Sequence, residues 1–203
     1  MKIAIPVLTG MMLLPASTAL AQHEGHAAHL AQPKPEASPR VMSPQPAIGE
    51  VTLIDHLGRP TSLRRVLSTE KPVLVNFIFT SCTTICPVMT TGFAQFQANL
   101  GDARDSVQLV SISIDPEIDT VDTLRHYADK YRAGASWEFL TGTRAAVEAA
   151  QRAFGAFRGD KTNHAPVTYI RRSPASPWES IDGLLSAETL LRAYRGELPL
   201  SSY

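Results

Sequence analysis

Apolar positions along the chain follow two periods. VLVNFIF, from Val73 to Phe79, and VQLVSISI, from Val107 to Ile114, are almost continuously apolar and read as strands buried on both faces. Val51 to Ile54 and Glu138 to Leu140 read as shorter strands. Val167 to Arg171 and Trp178 to Asp182 read as a closing hairpin. Between these runs the apolar residues recur at helical spacing. Met89, Phe93, Phe96 and Leu100 line one face of a helix from Pro87 to Leu100. Val121, Leu124, Ala128 and Tyr131 line another, with Asp119 as its cap. Leu63 to Leu67 is a short helix after a turn at His56 to Pro60. Thr143 caps a helix that reaches Phe154 and stops at Gly155, and Ser186 caps a last one ending near Arg195. This alternation predicts an α/β sandwich with some parallel strands and no internal repeat.

The pattern fails at the N-terminal end, and composition explains why. Lys2 precedes an apolar run from Ile3 to Leu14, then Pro15 and a small-residue ending at Ala21. That is the build of a secretory signal peptide over residues 1–21, cut after Ala21. Left uncut, the segment is just long enough to span a membrane. Pro6, Gly10 and Pro15 argue against a permanent helix. Either outcome exports the body. Residues 22–47 carry Pro33, Pro35, Pro39, Pro44 and Pro46 among Ala and Gln, too little apolar surface to order a core, and predict a tether. The tether opens with HEGHAAH, whose His23, His26 and His29 make a loose metal-binding tract or a merely solvated one. The folded body is expected over residues 48–203.

With 19 basic and 19 acidic residues in 203, the charge is balanced and no basic stripe interrupts it, which removes the electrostatic case for a nucleic-acid partner. The two cysteines, Cys82 and Cys86, stand together in CTTICP. A disulfide between residues four apart closes a loop too small to staple the fold. The pair therefore reads as reactive or metal-binding. Helical spacing of four places both thiols on one face with Cβ atoms ~5–6 Å apart. A helix start favours thiolate over thiol, and Pro87 is tolerated in the first turn. Soft thiolates suit Cu(I), and an added imidazole suits Cu(II). A structural zinc site would need four ligands, and no second cysteine pair supplies them. Of the body histidines, His56 in a turn and His126 on a polar helix side read as surface residues. His164, in TNHAP before an apolar strand, stays open as a ligand. Met89 matches the core stripe. Trp137 and Trp178 read as packing residues, and Arg64, Arg65, Arg171 and Arg172 as solvated charges.

VNFIFTSCTTICPVMT, SISIDPEIDTVDTLRHYADKY, WEFLTGT and the lone His164 before a strand together resemble the Sco/SenC family of copper-handling proteins. The resemblance covers roughly residues 49–194. It implies a thioredoxin-like fold with a central mixed β-sheet flanked by helices. It also implies a site outside the cytoplasmic membrane and one copper ion, Cu(I) or Cu(II), held by Cys82, Cys86 and His164. The implied task is assembly of the copper centre of cytochrome c oxidase, by copper delivery or thiol reduction. The partner would be the copper-accepting subunit of a terminal oxidase or another periplasmic copper protein. Membrane contact would come only through an uncut N-terminus. Asp115 and Asp119 fall in the family's acidic segment; Asp115 stands either near the copper or as a turn stabiliser. Thr83 replaces a common Pro and Asn163 a common Asp. Ala165–Pro166 would be cis if it fills the place beside the cysteines usual in thioredoxin-like proteins. The resemblance implies a metallochaperone rather than an enzyme. The alternative is a thiol–disulfide oxidoreductase using Cys82 and Cys86 without need of His164. A thiol peroxidase, which needs one activated cysteine, is the third reading.

Overall fold

Residues 41–42 and 45–198 are described by the computed structural model. The expected signal segment and most of the expected tether lie outside them. The strands are β1 (Val41–Met42), β2 (Thr52–Asp55), β3 (Pro60–Ser62), β4 (Val73–Ile78), β5 (Gln108–Ser113), β6 (Trp137–Thr141), β7 (Val167–Arg171) and β8 (Glu179–Asp182). The helices are α1 (Leu63–Leu67), α2 (Ile85–Asn99), α3 (Val121–Lys130), α4 (Arg144–Ala153) and α5 (Ala187–Arg195). The strands form one mixed sheet in the order β1-β8-β7-β4-β5-β6-β2-β3.

The two continuous apolar runs become neighbouring central strands, β4 and β5, paired in parallel from Val73↔Gln108 to Ile78↔Ser113. Their apolar residues point alternately to two cores, because side chains alternate across a strand. Leu74 and Ile78 face α2, α3 and α5, with Phe93, Phe96, Leu124 and Leu190. Val73, Val75 and Phe77 face α1 and α4, with Leu63, Val147 and Phe154. Helices therefore cover both faces, and the polar residues Asn76, Ser111 and Ser113 of the central strands are buried with the apolar ones. Trp137 is a packing residue as expected, stacked on Phe139 at 5.0 Å, with its indole N–H donated to Ser111 Oγ at 3.0 Å. Met89 is buried in α2, and Trp178 packs edge-on against Phe154.

Several local expectations change. Pro60 opens an edge strand rather than closing a turn, a place where its missing N–H is harmless. Val41–Met42, within the expected tether, pairs with β8 at the other edge. Thr120, not Asp119, caps α3, through a bond from the Thr123 N–H. His56 is half-buried, edge-on to Phe139, and its Nδ1 accepts the Phe139 N–H at 3.3 Å. His126 is exposed, as expected. Arg171 and Arg172 are not free surface charges. Arg171 donates to the carbonyls of Leu67 and Thr69, and Arg172 pairs with Glu179 and donates to the Ala193 carbonyl.

The topology creates one functional edge. β7 pairs antiparallel with β4, Asn76↔Thr168. The C-terminal ends of β4 and β5 and the N-terminal end of β7 therefore meet on the same side of the sheet. The segment after β4 carries Cys82 and Cys86, the segment after β5 carries Asp115 and Asp119, and the segment before β7 carries His164.

Candidate metal and thiol site

α2 begins at Ile85, so only Cys86 is helical. Cys82 lies in the approach to the helix, and the expectation of two thiols one above the other on a helix is corrected. The chain brings them together by another route. The Cys86 N–H, one of the helix's first donors and without an intrahelical acceptor, donates to Cys82 Sγ at 3.4 Å. Cys82 thus serves as a sulfur cap. Its own N–H donates to the Phe79 carbonyl at 3.2 Å, which folds the segment back toward the strand. Pro87 sits in the first turn, where it forfeits no intrahelical bond. Both cysteines are free and buried.

The two thiols are unequal. Burial raises the Cys82 pKa, but hydrogen bonds from the backbone N–H groups of Cys86 and Thr84 outweigh it and leave the thiol below its ordinary range. Cys86 is shut in the core, and burial pushes its thiol up to about 12, with the charges of Cys82 and Asp119 acting in the same direction. Hydrogen bonds favour charge on one sulfur, and burial disfavours it on the other.

His164 follows a single turn of 3₁₀ helix, Lys161–Asn163, capped by Asp160. Its ring meets that of Phe79, three residues before Cys82, edge-on at 6.3 Å. Its Nε2 is buried and has no hydrogen-bond partner. Burial lowers the ring's pKa, a backbone bond with Phe77 opposes this, and the Arg158 charge adds to it. The imidazole is therefore kept neutral, the form that binds metals. Among the described residues no group of three His, Cys, Asp or Glu side chains is close enough to hold one metal ion. Cys82, Cys86 and His164 thus border one edge without closing on a common point. The donor types still fit copper: two sulfurs, and an imidazole nitrogen that nothing else occupies.

The Ala165–Pro166 bond is trans, which corrects the cis expectation. Trans is the favoured form even before proline, and the chain continues from Pro166 straight into β7, with the Pro166 carbonyl accepting the Gly183 N–H at 2.8 Å. Asp119, read from sequence as a cap, is fully buried and accepts from Thr80 N–H (3.1 Å), Thr80 Oγ1 (2.5 Å) and Ser113 Oγ (2.6 Å). Asp115, buried beside it, takes an ion pair from Lys161 at 2.5 Å. Lys161 and Ser113 had no signal in the sequence. Each is a common residue whose role comes from a partner distant in the chain or from a sheet edge. The cavity that His164 lines holds only about 30 Å³, far below the ~300–1,000 Å³ of small-molecule sites. A broader groove of about 720 Å³ lies at the other end of α2, lined by Gln97, Arg104 and Tyr131 among others, and contains neither cysteine nor histidine.

A mixed sheet with helices on both faces and a dithiol at the strand–helix junction defines a thioredoxin-like protein. The SCO1/SenC family model matches residues 40–176, and the chain belongs to that family. It is 41% identical over 70 residues to the SCO1 protein homolog of Bacillus subtilis, covering 34% of this chain and 36% of that protein. The chain spans about a third to a half of the length of the curated relatives it matches, 36% to 54%. Among solved structures, the copper-bound ScoI of Bradyrhizobium japonicum aligns with a TM-score of 0.61 at 22% identity, covering 74% of this chain and 98% of that one. BsSco, described as a member of the Sco family of cytochrome c oxidase assembly proteins, aligns with a TM-score of 0.62 at 25% identity, covering 77% and 95%.

Proposed function

We propose that this protein is an exported copper chaperone that holds one copper ion through Cys82, Cys86 and His164 and passes it to the copper centre of a cytochrome c oxidase. The observation that carries the reading is the buried, unpartnered Nε2 of His164, on a loop at the same edge of the sheet as the two thiols. A buried imidazole nitrogen without a partner is unfavourable unless something else engages it. Two sulfurs and one nitrogen make a soft, low-coordinate donor set, suited to copper and to handing it on by ligand exchange. Copper is cargo here. The protein's share is to offer the donors, keep His164 neutral and shield the pair from water. The copper-bound relative and the family's link to oxidase assembly support this assignment. Export rests on the N-terminal sequence. The test is transfer: copper-loaded protein mixed with the metal-free copper domain of an oxidase should fill that domain, whereas copper kept by this chain would contradict delivery.

One observation favours a second reading. The inequality of the thiols, Cys82 lowered and Cys86 raised, is the arrangement of an attacking and a resolving cysteine in disulfide exchange. Under that reading the protein reduces the acceptor's cysteines, and His164→Ala leaves the exchange rate unchanged.

A further inference from the structure

The cysteine loop and the histidine loop are joined by a series of hydrogen bonds that runs through the segment after β5. Thr80, two residues before Cys82, donates both its N–H and its hydroxyl to Asp119 Oδ1, at 3.1 and 2.5 Å. Ser113 Oγ donates to Asp119 Oδ2 at 2.6 Å and in turn accepts the Asp115 N–H at 3.0 Å. Lys161 Nζ donates to Asp115 Oδ2 at 2.5 Å, crossing over the Phe79 ring at 5.7 Å from its centroid. The Lys161 carbonyl accepts the His164 N–H at 3.1 Å. The middle of the chain is buried and its ends are not: Asp119 and Ser113 are fully enclosed, Thr80 and His164 are half-buried, and the Asp115 side chain is 8% exposed against 41% for Lys161.

Each link has a physical reason to persist. Asp119 and Asp115 are enclosed carboxylates that need donors. Ser113 serves both, accepting from one residue and donating to the other. Among the described residues Lys161 supplies the one cation paired with Asp115, and a pair half-sunk in this way is worth more than an exposed one. The three 3₁₀ residues from Lys161 to Asn163 are too few to hold a loop by their own bonds. The Lys161 side chain is the anchor that fastens them to the segment after β5, beside the bond of His164 to the Phe77 backbone.

We infer that Lys161 is a positioning residue: with Asp115, Ser113 and Asp119 it forms a strap that sets the distance between the cysteine loop and His164. It touches no copper and acts only through the two loops. The inference rests on the copper-binding reading above, and its test is arranged so that the two fail separately.

The experiment compares wild type, Lys161→Met, Lys161→Arg and Ser113→Ala. In metal-free protein, hydrogen exchange at the His164 amide should speed by about tenfold in Lys161→Met. Ser113→Ala takes one donor from Asp119 but leaves the Lys161–Asp115 pair in place, so it should speed exchange at Thr80 and leave His164 at the wild-type rate. With Cu(II) as probe, Lys161→Met should bind about 10- to 100-fold more weakly, the size expected when a ligand's support is removed. Its electron paramagnetic resonance spectrum should lose the nitrogen hyperfine coupling of the imidazole. Adding His164→Ala to Lys161→Met should cost little more, since both act through one ligand. Lys161→Arg, which keeps the cation, should restore affinity and spectrum. Wild-type exchange at His164 in Lys161→Met would overturn the strap. So would wild-type Cu(II) affinity in Lys161→Met. If wild type itself binds no copper, the chaperone reading falls, and the exchange data alone decide the strap.

Discussion

The backbone N–H of Cys86 donates to the sulfur of Cys82 at 3.4 Å. This bond separates the two thiols chemically, since it rewards charge on Cys82 while Cys86 stays buried. Alkylation of the reduced protein should therefore modify Cys82 first and at a lower pH than a free cysteine. Cys86 should resist until the protein unfolds. Rates followed by mass spectrometry between pH 6 and 9 check this, and equal rates at the two sulfurs would contradict it. Stability moves in opposite directions with the two groups. The Cys82 pKa is depressed on folding, so its contribution is full above the unfolded thiol value and is lost as pH falls through the folded value. Cys86 keeps its proton up to about 12, so above pH 9 the unfolded chain releases a proton that the folded chain retains, and stability falls.

Asp119 holds Thr80 through both its N–H and its hydroxyl. Asp119→Ala removes a charged acceptor from a buried donor set and should lower stability by about 1.5–3 kcal/mol. Denaturant midpoints at fixed m-value measure it. Burial raises the Asp119 pKa, with the Ser113 and Thr80 bonds opposing. The folded protein therefore holds this proton to higher pH than the unfolded chain. Wild-type stability should decline as pH rises through that window, and Asp119→Asn should show no such decline from this site.

Gly92 lies in the middle of α2, where alanine would ordinarily favour the helix by about 1 kcal/mol. Here a Cβ would stand 2.7 Å from the Leu185 carbonyl oxygen, because the loop before α5 crosses the helix at that point. A backbone atom cannot swing aside. Gly92→Ala should therefore destabilise by about 1–3 kcal/mol, the cost of overpacking, despite the better helix former. A raised melting temperature in this variant would contradict the packing.

Much of the fold was legible in the sequence because its signals are local. The continuous apolar runs of β4 and β5 need no partner to be recognised. Thr143 and Ser186 cap their helices through bonds three residues away, from Ala146 N–H and Thr189 N–H. The misreadings occur where a distant residue decides. Asp119 and Thr120 are both good caps, and the bonds from Thr80, 39 positions away, and from Ser113 at the end of β5 take Asp119 out of the contest. Arg171 looks solvated until the carbonyls of Leu67 and Thr69, more than 100 positions away, are brought to it. The cysteine pair was legible as a functional feature, but not its geometry: the helix begins at Ile85, after Cys82. His164 has no periodic context at all. It drew attention through the family pattern, and the structure adds its place beside Phe79 and its unpartnered nitrogen.

The central claim is that two thiols and one imidazole form a single copper site. The most direct measurement is an oxygen-free titration of the reduced protein with Cu(I) and with Cu(II), set beside His164→Ala. The account predicts one copper per chain in wild type, with Cu(II) affinity lowered by at least about tenfold in the variant as the nitrogen donor is lost. Equal Cu(I) and Cu(II) affinities in wild type and variant would contradict it and leave Cys82 and Cys86 as a dithiol alone.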